Sequence, residues 1–225
     1  MQQPKIDLVI FDCDGVLIDS ELLSASVLMG LMAEAGLPIT AEIFRTDFLG
    51  RSFASATKQV EKRFGRSFPP EFQMDYRNRL LTRMRGQLKA MPGVEDVLDA
   101  IKVPFCLATS SSPPRLEVSM EESKLGPYFA GKSYTAALVT HGKPAPDLPL
   151  YAAAQMGADP KNTLVIEDSE MGLRSALAAE MITWHFIGGS HCRDMAPLPD
   201  DVRPHRVLDS MPALHNAFRE LGISN

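Results

Sequence analysis

The stretch KIDLVIFDCDGVLIDSE, residues 5–21, contains an apolar run that ends in two carboxylates, Asp12 and Asp14. Each carboxylate costs several kcal/mol to remove from water unless a partner offsets its charge. On an extended strand, residues two positions apart project to the same side, so Asp12 and Asp14 would point together while Cys13 points away. We therefore predict a buried strand whose carboxyl end presents a pair of acids.

Further short apolar runs, rich in β-branched residues, recur along the chain. They are continuous rather than alternating, which is typical of parallel strands covered on both faces. The four runs span residues 6–11, 104–109, 163–168 and 182–187. Helical patterns lie between the later runs, at residues 93–101, 114–125, 147–157 and 171–181. Strands that alternate with helices predict an α/β fold with a doubly wound parallel sheet.

The segment between the first two predicted strands breaks this rhythm. It holds three helical patterns, which begin with SELLSAS, FASATKQ and PEFQMDY, and no convincing strand. Pro92 and Gly93 mark the return to the alternating pattern. We predict a core built from residues 1–18 and 87–225, with a helical insertion at residues 19–86.

The composition excludes several classes of protein. The 225 residues are 45% hydrophobic and 23% charged, with a formal net charge of −5, as in ordinary globular proteins. No basic stretch offsets this acidity, which argues against nucleic acid or an anionic membrane as partner. No run approaches the about 18 apolar residues of a membrane span. The three cysteines lack CxxC spacing, so we expect neither a disulfide framework nor a zinc site, and a reducing, cytoplasmic location.

Polar residues suited to chemistry stand where predicted strands end or close to such positions. In open α/β sheets the carboxyl ends of the strands form the crevice in which ligands bind. The residues in question are Asp12, Asp14, Thr109, Ser110, Lys143, Glu167 and Asp168. Taken singly, an Asp can form a turn, a Ser or Thr can cap a helix, and a Lys can be a solvated loop residue. Together they predict one polar site at a single edge of the sheet.

Four segments carry a resemblance to a known family. DCDGVLIDSE, LATSSS, GKPAPD and EDSEMG, in this order and with a helical insertion after the first, resemble the four motifs of the haloacid dehalogenase-like hydrolase superfamily. The match is closest to the branch with a small helical cap, which includes sugar-phosphate phosphatases and β-phosphoglucomutase. The resemblance covers essentially the whole chain. It implies a Rossmann-like catalytic core, an inserted cap domain, and a small phosphorylated metabolite as the substrate.

The resemblance also implies a role for each catalytic residue. Asp12 stands at the position of the nucleophile, which attacks a phosphomonoester and forms an aspartyl-phosphate. Asp14 would protonate the leaving alkoxide and then take a proton from the hydrolytic water, and we expect crowding by carboxylates to help it hold that proton. Thr109 and the backbone N–H of Ser110 would hydrogen-bond the transferring phosphoryl group. Lys143 would neutralise its charge.

Several acids beside an anionic phosphate require a cation. Oxygen ligands completed by water and substrate phosphate suit Mg²⁺. By resemblance, Asp12 and Asp168 each supply a carboxylate and Asp14 supplies its backbone carbonyl. Glu167 would be either a direct ligand or a water-mediated one.

Alternatives remain at the level of the reaction. Asp14 favours phosphoryl transfer over C–Cl or C–P cleavage, since dehalogenases and phosphonatases of the superfamily lack this acid. A phosphomutase shares all the residues above, but its serine-rich loop is followed by Lys-Asn, whereas this chain continues with Pro113, Pro114 and Arg115. We therefore predict a phosphatase, with a phosphomutase as the alternative. A non-enzymatic, phospho-accepting receiver domain fits less well, because such domains have no helical insertion and no acid at the position of Asp14. A catalytically silent binding protein also fits less well, because this chain retains every polar residue expected of an active enzyme.

Three residues are predicted to bind the substrate from the cap or its hinge. Gly50 and Arg51, in FLGRSF, resemble a cap loop that reaches towards the substrate, although Arg51 is equally explained as a solvated arginine. Glu21, at the hinge into the cap, is a candidate for binding sugar hydroxyls. His141 and the Pro-rich segment 188–205 are predicted to be loop residues, and the choice between a monomer and a homodimer stays open.

Overall fold

A computed structural model describes residues 4–49, 53–68, 70–194 and 197–225 of the chain. Six parallel strands form one sheet with the spatial order β3-β2-β1-β4-β5-β6. The strands are β1 (Leu8–Phe11), β2 (Phe105–Thr109), β3 (Ser133–Thr135), β4 (Thr163–Glu167), β5 (Ile182–Phe186) and β6 (Arg206–Leu208). The first strand therefore lies at the centre of the sheet, between β2 and β4.

The side chains of β1 sort onto two faces of the sheet. Val9 and Phe11 pack into one hydrophobic cluster, while Leu8 and Ile10 pack into a second one. All four are essentially inaccessible to solvent, which explains why the strand is apolar throughout rather than alternating. The prediction of a parallel sheet covered on both faces is confirmed.

Helices cover both faces of the sheet, and four further helices form the segment between β1 and β2. The helices of the core are α5 (Val94–Ala100), α6 (Pro113–Ser123), α7 (Gly126–Phe129), α8 (Asp147–Gln155), α9 (Glu170–Ala178) and α10 (Met211–Glu220). The helices between β1 and β2 are α1 (Glu21–Glu34), α2 (Ala41–Asp47), α3 (Phe53–Phe64) and α4 (Pro70–Met84). The predicted helical insertion is thus confirmed, whereas the exact boundaries at residues 18/19 and 86/87 stay predictions.

The inserted helices have a hydrophobic cluster of their own. Leu28 and Met32 of α1, Phe44 of α2, Val60 of α3 and Phe72 of α4 are buried together. α2 was not among the three helices predicted for this segment. Thr40 caps it by accepting a hydrogen bond from the backbone N–H of Ile43 at 3.2 Å. The only large apolar residues of this helix, Ile43 and Phe44, are adjacent, so its sequence shows no helical period.

Further elements also depart from the sequence prediction. β3 and β6 were not predicted, and each has three residues at an edge of the sheet. The predicted loop 188–205 contains a short 3₁₀ helix, Ser190–Asp194, directly after β5. Within the described ranges, we find no helix that is long and apolar enough to cross a membrane.

Candidate active site

A cavity of about 400 Å³ opens at the carboxyl ends of β1, β2 and β4. Because these three strands are neighbours in the sheet, their ends bring residues from distant parts of the sequence to one place. Every described residue predicted for the site, from Asp12 to Asp168, lines this cavity; the full set is Asp12, Asp14, Glu21, Thr109, Ser110, Lys143, Glu167 and Asp168. Gly50 and Arg51, the other predicted contacts, lie outside the described residues.

Three carboxylates form the most acidic part of the cavity. Asp12, Glu167 and Asp168 are each less than a tenth exposed, and they offer oxygen atoms that lie within 4.8 Å of one another. Burial raises the pKa of Asp12 well above its ordinary value, and the neighbouring charges of Glu167 and Asp168 raise it further, although Lys143 opposes both effects. Such a group of hard oxygen donors fits a divalent cation, which would offset the charge that the acids place on one another.

Lys143 connects two of these carboxylates. Its Nζ donates to Asp12 Oδ1 at 2.5 Å and to Glu167 Oε1 at 2.5 Å, and its side chain is 6% exposed. Burial alone would lower the pKa of Lys143, but the two carboxylates outweigh it and hold the pKa well above its ordinary value. Lys143 therefore remains a charged ammonium at the centre of the site.

Both oxygens of Glu167 are engaged within the protein. Oε1 accepts from Lys143, and Oε2 accepts from the backbone N–H groups of Asp168 and Ser169 at 2.9 and 3.0 Å and from Ser169 Oγ at 3.0 Å. A Cβ atom at Gly172, in the first turn of α9, would overlap this carboxylate. The local sequence EDSEMG thus holds the Glu167 carboxylate in place. The residues just before α9 donate hydrogen bonds to it, and Gly172 leaves the space that it occupies.

Asp14 faces the same cavity but has different partners. It accepts hydrogen bonds from Ser20 Oγ, Ser111 Oγ and Arg115 Nη2, each at 2.6 Å. Burial favours a higher pKa for Asp14, but the Arg115 guanidinium and the two hydroxyls together lower its pKa below the ordinary value. The expectation that crowding by carboxylates would raise this pKa is therefore wrong, because the nearest charge is a cation.

Arg115 also links Asp14 to the first cap helix. Its Nη2 donates to Ser24 Oγ at 3.0 Å and lies 3.8 Å from Glu21 Oε1. Glu21 is buried, and this burial raises its pKa to about 7, against the opposing charge of Arg115. Because α6 begins at Pro113, Arg115 lies in its first turn, where the side chain is near both acids.

The hydroxyl residues after β2 line the cavity beside Asp14. Thr109 is buried at the end of the strand, and its Oγ1 accepts from the backbone N–H of Ser111 at 3.0 Å. Ser110 also lines the cavity. Ser111, which the sequence reasoning did not single out, is the residue of this loop that contacts Asp14 directly.

Two histidines that the sequence reasoning missed hold Asp168. His191 Nε2 lies 2.9 Å from Asp168 Oδ2, and His185 Nε2 lies 3.0 Å from the backbone carbonyl of Asp168. Burial raises the pKa of Asp168 to about 6, with the hydrogen bond from His191 opposing the rise. A position at the carboxyl end of a buried strand, the signal that predicted the other site residues, could also have found these two. His185 lies at the end of β5, and His191 follows shortly after it.

His141, by contrast, is an exposed loop residue that pairs with Asp147 at 3.0 Å.

Comparisons with known proteins show the family of the chain. The family described as haloacid dehalogenase-like hydrolase matches residues 6–180 of the chain. The 6-phosphogluconate phosphatase of Escherichia coli (strain K12) is 27% identical over 214 residues, which cover 95% of this chain and 96% of that protein.

Two solved structures share the fold along nearly the whole chain. A conserved haloacid dehalogenase-like protein of unknown function from Agrobacterium tumefaciens str. C58 is 33% identical with a TM-score of 0.79, over 96% of this chain and 99% of that one. A hydrolase of the same family from Deinococcus radiodurans R1, solved with bound phosphate and sodium, is 31% identical with a TM-score of 0.76, over 100% of this chain and 99% of that one.

Proposed function

The chain belongs to the haloacid dehalogenase-like hydrolases and is a phosphatase of that family acting on phosphomonoesters; from this premise we propose that it is Mg²⁺-dependent and works through an aspartyl-phosphate intermediate. One observation carries the proposal. Asp12, Lys143 and a buried group of carboxylates meet at the carboxyl ends of adjacent strands, inside a cavity large enough for a small metabolite.

Asp12 is the proposed nucleophile. One of its carboxylate oxygens attacks phosphorus in line with the leaving group, so a P–O bond forms to Asp12 as the ester P–O bond breaks. The Lys143 ammonium, already in contact with Asp12, would also neutralise the phosphoryl oxygens. Thr109 Oγ1 and the backbone N–H of Ser110 would hydrogen-bond the same oxygens and hold the group in position.

Asp14 is the proposed general acid and base. It gives a proton to the leaving alkoxide, which departs as an alcohol, and then takes a proton from the water that attacks the aspartyl-phosphate and releases phosphate. The contact with Arg115 favours the charged form of Asp14, so a protonated Asp14 gives up its proton to the leaving alkoxide more readily. Glu21 lies 3.8 Å from the same guanidinium nitrogen.

Asp12, Asp168 and the backbone carbonyl of Asp14 would hold Mg²⁺. Bound there, the ion would offset the negative charge of the phosphoryl group and so reduce its repulsion with the surrounding acids. Because both oxygens of Glu167 already accept hydrogen bonds within the protein, we propose that Glu167 contacts the ion through water. Glu167 then acts mainly by orienting Lys143.

The proposed substrate is a small phosphomonoester, such as a sugar phosphate or a related metabolite. The size of the cavity and the buried carboxylate of Glu21, which can accept hydrogen bonds from hydroxyl groups, support this class. A phosphomutase is the alternative. Pro113 and Pro114 stand where the mutase pattern has Lys-Asn, which favours the phosphatase, and the following Arg115 contacts Asp14 and Ser24. The cytoplasmic location stays a prediction.

Phosphate release from purified protein tests the proposal. With Mg²⁺, a panel of p-nitrophenyl phosphate, sugar phosphates, phosphoglycolate and nucleotides should show turnover that Asp12→Asn abolishes. Asp7→Asn is the matched control, because Asp7 lies before the opposite end of β1 and pairs with Lys5 at the surface. Turnover that persists in Asp12→Asn, or in the absence of divalent metal, contradicts the mechanism. Conversion of a hexose 1-phosphate into a 6-phosphate without net phosphate release would identify a mutase.

A further inference from the structure

His191 contacts a carboxylate of the proposed metal centre from outside the motifs that build that centre. Its Nε2 lies 2.9 Å from Asp168 Oδ2, and the two side chains are 5% and 3% exposed. We propose that His191 is a positioning residue that holds the Asp168 carboxylate in the orientation required for binding the metal ion. This inference rests on the proposed function, since it assumes that Asp168 is a metal ligand.

The turn that carries His191 is itself held against the active site. Ser190 donates to Asp19 Oδ1 through its backbone N–H at 3.2 Å and through Oγ at 2.7 Å. His185 contacts the backbone carbonyl of Asp168 at 3.0 Å. Asp168 is therefore held at its backbone by one imidazole and at its carboxylate by another.

Two glycines leave room for the imidazole of His191 and the carboxylate of Asp168. A Cβ atom at Gly15 would overlap the Asp168 carboxylate and would lie 2.8 Å from His191 Cε1. A Cβ atom at Gly189 would lie 2.7 Å from both Cε1 and Nδ1 of His191. Gly15 also adopts a φ of +83°, which disfavours any other residue. The backbone is thus shaped around this contact from two sides.

The hydrogen-bonding pattern of the ring points to the same role. Nε2 contacts Asp168 and lies 3.2 Å from Cys192 Sγ, whereas Nδ1 is buried without a hydrogen-bond partner among the described residues. The ring therefore does not bridge Asp168 to another structural element through its second nitrogen. A donor on Oδ2 restricts rotation of the carboxylate and leaves Oδ1 for the ion, and loss of such outer contacts typically costs about 10–100-fold in metal affinity.

Titration calorimetry of Mg²⁺ into the protein without substrate tests this inference. His191→Leu fills much of the space without a donor, and His191→Ala leaves it open, so a folding failure of one variant does not decide the result. His191→Gln keeps an N–H donor near the position of Nε2. His215→Ala is the control, because His215 lies on α10 and contacts the carbonyl of Asn225 instead. Thermal unfolding in EDTA establishes that each variant is folded.

We expect His191→Leu and His191→Ala to weaken Mg²⁺ binding by about 10–100-fold, while His191→Gln recovers most of the affinity and His215→Ala matches the wild type. Wild-type affinity in a folded His191→Leu or His191→Ala overturns the inference and leaves the proposed function intact. Equal losses in the Gln and Leu variants also overturn it, since the N–H donor that Gln retains would then contribute nothing to Mg²⁺ binding. If the wild-type protein itself binds no Mg²⁺, both the inference and the proposed metal centre are wrong.

Discussion

Replacing Lys143 with methionine removes the cation on which the buried carboxylates depend. Lys143 Nζ lies 2.5 Å from oxygens of both Asp12 and Glu167. With an effective dielectric constant of about 20, each of these contacts is worth roughly 7 kcal/mol of attraction. Desolvation of the three buried groups cancels much of this gain, and breaking a buried pair by removing one partner costs about 3–5 kcal/mol. We expect the free energy of unfolding of Lys143→Met to fall by this amount in EDTA.

The same variant should lose activity for a separate reason. The ammonium neutralises the phosphoryl oxygens in the proposed mechanism, and removal of one such group typically lowers kcat by about 10²–10³-fold. Mg²⁺ should recover part of the lost stability of Lys143→Met, because the ion compensates the charge on the same carboxylates, but it should not restore turnover.

Urea unfolding with and without Mg²⁺, together with hydrolysis of p-nitrophenyl phosphate at saturating Mg²⁺, measures both effects. Lys161→Met is the matched control, since Lys161 is an exposed lysine remote from the carboxyl ends of the strands. If Lys143→Met unfolds within about 1 kcal/mol of the wild type and keeps more than about a tenth of its turnover, Lys143 neither compensates the buried carboxylates nor stabilises the transferring phosphoryl group.

Two further predictions concern Glu21 and Gly172. The pKa of Glu21 rises from 4.5 to about 7 on folding, so the native state keeps a proton that the unfolded chain has lost and stability falls as pH rises between these values. Urea unfolding at pH 5 and pH 8 should therefore show Glu21→Gln gaining roughly 3 kcal/mol relative to the wild type over this interval, whereas a pH-independent difference would contradict the burial of a titrating Glu21. Gly172→Ala should displace the Glu167 carboxylate, lower the free energy of unfolding by about 1–3 kcal/mol and reduce Mg²⁺-dependent turnover. Gly30→Ala is its control, because a Cβ atom there meets nothing within 4 Å and the helix should gain about 0.5–1 kcal/mol; equal effects of the two substitutions would refute the clash at Gly172.

The long buried strands and the helical insertion could be predicted because their signals are local. The runs around Phe11, Cys106 and Val165 are apolar on both faces, and this pattern depends on only a few neighbouring residues. The three-residue strands β3 and β6 were missed because they are too short to show a period. Helix α2 was missed because its only large apolar residues, Ile43 and Phe44, are adjacent rather than spaced at a helical period. Their place is decided by pairing with a neighbour or by packing.

The sequence by itself determined which acids stand at the end of the first strand, and the spacing of Asp12 and Asp14 predicted that both would face one cavity. Only the tertiary structure decided how each charge is compensated. Lys143, 131 positions from Asp12, contacts that residue, while Arg115, 101 positions from Asp14, lowers the pKa that crowding was expected to raise. Strand and helix periods follow from the local geometry of the chain, but a pKa depends on through-space distance and burial, which only the folded arrangement of distant segments fixes.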